Sequence, residues 1–246
     1  MFTRSPDAES NGLITTGIIG LIRTFDLPKG VASLPIDWNV FSCALQLSRD
    51  GENLKALATI SDLMTEAESD ADRAALALGQ SSCHSHLGNT AKSAELLELA
   101  KKYAGDDRVM LSQVELSEAS LRAQRREYEV ACQQYESIKL EYRDLLIKPE
   151  HEDFRMELDS RLACVLVDAG RCNEALPIFA KLFECTALED KQRLQLFFSF
   201  ALFRTGRTVE AQPLLFEAAR GEDRKLAQTA LEYLAEIEKT GRGQPM

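Results

Sequence analysis

From about Ile36 onward, apolar residues recur at helical spacing in stretch after stretch, separated by short polar breaks. The breaks share one form. Arg49-Asp50-Gly51, Leu87-Gly88-Asn89, Ala169-Gly170-Arg171 and Thr205-Gly206-Arg207 each follow an apolar helical run. Each leads into polar residues and then an Ala or Ser five places past the glycine. Glycine at such a point suits the left-handed turn that closes one helix before the next begins. The glycines at 51 and 88 are 37 residues apart and those at 170 and 206 are 36 apart, while the 82 residues from 88 to 170 leave room for one further break, at Arg126. A period near 36 with two helices per period predicts an all-α solenoid of about five helix pairs.

Aligning the five breaks gives columns of one chemical kind. Seven residues before the break stand Ala44, Ser81, Ala119, Ala163 and Ser199; five after stand Ala56, Ser93, Ala131, Ala175 and Ala211. All are small. Nine after the break stand the large residues Ile60, Leu97, Tyr135, Phe179 and Leu215, and twelve after stand Leu63, Ala100, Ile138, Leu182 and Ala218. Two antiparallel helices approach closely only where facing side chains are small, and the large column fills the space between successive pairs. No pair buries that face alone, so the pairs must stack.

These columns resemble the tetratricopeptide repeat over roughly residues 36–221. Leu162, Ala163, Leu166, Gly170, Ala175, Phe179 and Leu182 make the best single match, followed by Phe198, Ser199, Leu202, Gly206, Ala211, Leu215 and Ala218. The chain departs from the family pattern in lacking its usual proline at the end of each repeat, and in placing Gln80, His84, Glu118 and Arg122 where the family prefers apolar residues. The resemblance implies a right-handed superhelix whose first helices line a concave groove that holds a peptide or amphipathic helix of a partner protein. On that template the lining residues lie ten and six before each break. They are Phe41 and Leu45, Leu78 and Ser82, Leu116 and Ser120, Ser160 and Cys164, and Leu196 and Phe200. Phe200 and Leu196 are the expected anchors. The Lys/Asn/Arg set with which one family subtype grips a C-terminal carboxylate is missing at these positions.

Three segments follow: residues 1–35, an N-terminal tail; 36–221, the repeat array; and 222–246, a terminal helix and tail. The terminal helix, about Asp223 to Lys239, carries Leu226, Ala230, Tyr233, Leu234 and Ile237 on one side and caps the last repeat. The third repeat's second helix is expected to run on to about Ile147, with a break at Pro149 and His151. Starts are expected at Ser69-Asp70-Ala71-Asp72 and Thr186-Ala187-Leu188-Glu189. Residues 1–12 are expected to lack order. The apolar run Leu13 to Phe25 (LITTGIIGLIRTF) is far too short to span a bilayer. Asp7 and Glu9 before it, and Arg23, Asp26 and Lys29 in and after it, also make it a poor secretion signal. It is expected to form a helix against the first repeat.

Composition narrows the function classes. The net charge of −10 repels phosphate backbones and anionic lipid, which argues against nucleic-acid binding. The densest basic cluster, Arg122, Arg125 and Arg126, sits beside Glu127 and Glu129 and reads as a solvated helix end. Six cysteines, none in a Cys-x-x-Cys pair, fall among apolar or small residues and read as small hydrophobes in a reducing, cytoplasmic setting.

Candidate chemistry is sparse. Cys83-His84-Ser85-His86 gathers metal-ligand types, but neighbours on a helix point apart, so no metal site is expected. No phosphate loop, nucleophile elbow or metalloprotease motif is present. Neither a catalytic residue nor a cofactor is expected. Tyr128, Tyr135 and Tyr142 recur every seven residues, which reads as packing between repeats or as a partner or homo-oligomer seam. The expected function is a protein-interaction scaffold or adaptor. The alternative is a cytoplasmic chaperone for a secreted or assembling client, which the acidic charge also suits.

Overall fold

The computed structural model describes residues 36–185 and 191–241, and among these there are helices and turns but no strand. The expectations for residues 1–25 and for the Thr186 start lie outside the described residues. Twelve helices follow in order: α1 (Trp38–Arg49), α2 (Asn53–Glu66), α3 (Asp70–His86), α4 (Thr90–Ala104), α5 (Arg108–Gln124), α6 (Tyr128–Glu141), the single turn α7 (Arg143–Leu146), α8 (Glu152–Asp168), α9 (Cys172–Cys185), α10 (Lys191–Arg204), α11 (Thr208–Ala219) and α12 (Arg224–Gly241). The chain divides into two compact parts, Met1–Leu158 and Asp159–Met246.

The two kinds of turn have different chemistry. Inside every pair, the turn is a Schellman motif. The break residue's N–H donates three residues back, and the next N–H donates five back. Gly51 and Glu52 donate to Ser48 and Leu47, Gly88 and Asn89 to Ser85 and His84, Gly170 and Arg171 to Val167 and Leu166, and Gly206 and Arg207 to Phe203 and Leu202. Arg126 and Glu127 do the same to Ala123 and Arg122. All five break residues have positive φ, and Arg126, at 64°, is the one non-glycine with positive φ among the described residues. At three of the junctions that follow a pair, a side chain caps the incoming helix instead. Ser69 Oγ accepts from Asp72 N at 3.0 Å, Asp107 Oδ1 from Val109 N at 2.9 Å and Asp223 Oδ1 from Lys225 N at 2.8 Å.

All twenty column residues are buried. The helices of the second pair meet at Ser81 and Ser93, whose hydroxyls are 2.8 Å apart, and Ser81 Oγ also donates to Ser93 O at 3.0 Å. Small side chains thus bring the backbones together and satisfy their own polar atoms. First helices also nest on each other: a Cβ built on Gly79 of α3 lies 2.9 Å from the Phe41 ring of α1.

The third pair differs from its expectation. Its second helix does not run unbroken to Ile147 but stops at Glu141 and restarts as α7. Arg108 at the start of α5 holds this break. It donates to both oxygens of Asp144 (2.7 and 2.9 Å) and to Glu141 O (3.0 Å). Tyr135 and Tyr142 are buried within the pair. The Tyr135 hydroxyl lies 2.8 Å from Ser120 Oγ, and the Tyr142 hydroxyl donates to Glu115 Oε1 at 3.0 Å. Those two rings are therefore packing residues rather than an exposed seam.

Candidate functional site: the first-helix face

Residues ten, six and two before a break follow i, i+4, i+8 spacing and form one stripe along a first helix. The stripes are Phe41-Leu45-Arg49, Leu78-Ser82-His86, Leu116-Ser120-Gln124, Ser160-Cys164-Asp168 and Leu196-Phe200-Arg204. The ten residues expected to line a groove are the upper two of each stripe. Eight of them are buried, with Leu116 and Leu196 fully covered, and only Ser82 and Ser160 are partly open. Phe200 shows why. The Tyr233 ring of α12 lies over it with centroids 4.0 Å apart, and Phe197 packs on its other side at 6.0 Å. The terminal helix thus occupies the Phe200 face, the place expected for a partner's anchor contact.

The third member of each stripe was not singled out from sequence. It is polar in all five repeats, and three of these residues bind back to the preceding repeat. His86 Nδ1 lies 3.1 Å from Ser48 Oγ and 3.3 Å from Asn53 Oδ1, with Ser48 donating to Asn53 at 2.7 Å. Ser85 Oγ donates to Gln124 Oε1 at 2.8 Å. Arg204 Nη1 donates to Val167 O at 2.8 Å. The partners are 38, 39 and 37 residues apart, one repeat each. These bonds pin the register of neighbouring first helices within each compact part. The signal was present as the invariably polar residue two before each break.

Asp168 is the exception in this series. Its Oδ2 is buried and accepts no hydrogen bond from the protein. Burial raises its carboxyl to about pKa 6, against an opposing pull from the Arg204 guanidinium. Tyr233 sits in the same group. Burial raises its phenol, Arg204 lowers it, and Glu236 and Asp168 raise it further.

The Cys83-His84-Ser85-His86 run lies on α3 and is absorbed in packing. Burial pushes the Cys83 thiol up, and Ser48 draws it back. His84 reaches Asn89 at 3.5 Å, and burial, then Lys92, lowers its pKa. Among the described residues no group of three metal-ligating side chains gathers, and no helix is long and apolar enough to cross a membrane.

Stacked helix pairs with five identical turns and buried small-residue columns define a tetratricopeptide-like helical-repeat fold. Known structures agree. The chain is similar to a protein assigned as a kinesin light chain with nearly identical TPR-like repeats, from Podospora anserina, and to a single-substitution variant of it. The variant aligns at a TM-score of 0.53 and the parent at 0.51. Both are 16% identical to this chain, covering 74% of it and 92% of theirs. No family model and no curated protein matches the sequence.

Proposed function

We propose that this protein is an interaction scaffold that holds a peptide or amphipathic helix of a partner protein on the first-helix face. The observation that supports the reading is the polar third member of the stripes. It leaves hydrogen-bonding side chains at the accessible edge of an otherwise buried face. With the partly open Ser82 and Ser160 from the upper members, these are Ser82 and His86 in the first compact part, and Ser160 and Arg204 in the second. Phe41, Leu45, Leu78, Leu116, Ser120, Cys164, Leu196 and Phe200 lie beneath as the support that fixes their positions. An extended peptide suits such an edge best, because its backbone groups need partners that a helical ligand satisfies internally.

Affinity capture from the native cell followed by mass spectrometry defines the partner set. Repeating it with Ser82→Arg and Arg204→Glu should lose those partners, while Ala91→Arg on the exposed side of α4 should keep them. Identical capture by all three variants removes the reading. The net charge of −10 keeps a chaperone for an apolar client as the alternative. In that case the client becomes insoluble when this protein is depleted, whereas a scaffold's partners persist.

A further inference from the structure

Helix α12 closes the last repeat in two ways. Leu226, Ala230, Leu234 and Ile237 form its buried side at i, i+4, i+8 and i+11 spacing. Tyr233 reaches α10, where its ring lies over Phe200 with centroids 4.0 Å apart and meets Phe203 edge-on at 6.4 Å. Phe200 and Arg204 stand one helical turn apart on the α10 stripe, so the ring stack and the guanidinium are neighbours on one face. Arg204 directs Nη1 to Val167 O at 2.8 Å, beside Asp168 in the chain. Asp168 Oδ2 is left buried with no hydrogen bond from the described residues. An acceptor sealed without a donor favours whichever state lets water reach it. Arg204 of α10 acts on Asp168, and Arg204, Glu236 and Asp168 all act on the Tyr233 phenol of α12. Arg171 is held by Glu174 of α9, and Arg207 by Glu210 of α11.

We propose that α12 is a pH-sensitive latch on the last repeat, which lies down firmly when Asp168 carries a proton and loosens when Asp168 is ionised. Lifting α12 takes Tyr233 off Phe200 and lets water reach the carboxylate, and the ionised form gains most from that water. Burial lifts the Asp168 carboxyl from 3.8 to about 6 in the closed state, with Arg204 opposing. The closed state therefore binds the proton more tightly than the open one. Closure is favoured at low pH, weakens as pH rises through about 6, and changes little beyond. An open α12 bares Phe200 on the face proposed to hold a partner, but the latch itself does not depend on that reading.

The test needs no partner. Backbone hydrogen exchange of the full chain is followed at pH 5, 6, 7 and 8, each rate divided by its intrinsic value at that pH. Amides of 226–237 in α12 should be less protected than those of 194–202 in α10 and 211–218 in α11. Their protection should fall about three- to tenfold from pH 5 to pH 8, the larger figure applying if opening returns the carboxyl fully to its hydrated value. In Asp168→Asn the α12 protection should be the same at every pH. Glu236→Gln, which removes the other acid acting on Tyr233, should keep the wild-type fall. A flat wild-type profile, or a fall that survives Asp168→Asn, overturns the proposal. So does one shared protection factor for α10, α11 and α12, which means that the three helices open only as a unit. A fall abolished by Glu236→Gln assigns the titration to Glu236 and overturns it as well.

Discussion

Replacing Asp168 by Asn isolates the cost of one half-buried carboxylate. Its pKa rises from 3.8 to about 6 on folding, with burial outweighing Arg204. Because the folded value lies above the unfolded one, the native state holds its proton more tightly. Above about pH 6 both states are ionised and the native state bears the full penalty. As pH falls through 6 the native carboxyl takes up a proton and the penalty shrinks. Below the unfolded pKa it is gone. At 1.36 kcal/mol per unit the shift corresponds to at most about 3 kcal/mol, and solvent reaching the partly open side chain reduces that to about 1–2 kcal/mol. Asp168→Asn should therefore raise stability by about 1–2 kcal/mol at pH 8, and the gain should shrink steadily towards pH 5. Urea denaturation of both proteins at pH 5, 6, 7 and 8, followed by circular dichroism, measures the difference. A variant less stable than wild type at pH 8 would show that Arg204 stabilises the charge more than burial penalises it, and a gap that does not change with pH would show that folding leaves the Asp168 pKa unshifted.

Arg126 holds a left-handed conformation that the other four breaks give to glycine, so Arg126→Gly should raise stability by about 0.5–1 kcal/mol and Gly170→Ala should lower it by a similar amount, both read from denaturation midpoints. Gly79→Ala gains helix propensity, but its methyl meets the Phe41 ring at 2.9 Å; a net loss of about 1–2 kcal/mol is expected, and a variant as stable as wild type would mean that α1 gives way freely. Gln192 donates to Ala218 O and Asp223 O and accepts from Asp223 N, tying α10 to the turn before α12. Gln192→Ala should cost about 1–3 kcal/mol and speed hydrogen exchange across 220–226.

The repeat register was legible because it rests on local chemistry. A glycine in a Schellman turn, a small residue where two backbones touch and a large one behind it are each specified by a few neighbours along the chain. That logic located even the disguised break at Arg126, whose φ of 64° matches the glycines at 51, 88, 170 and 206. Which residues of the first-helix face remain accessible was decided by the tertiary structure. Neighbouring residues on a helix differ by about 100° in direction, and exposure sums contributions from helices a full repeat away. Phe200 reads as an anchor in the sequence, yet the Tyr233 ring, 33 residues on, covers it. Asp168 reads as an ordinary helix-end acid, yet packing seals its Oδ2 from any donor. Turn chemistry and column size thus set the repeats from within the sequence, whereas burial and ionisation depend on what stacks against each face.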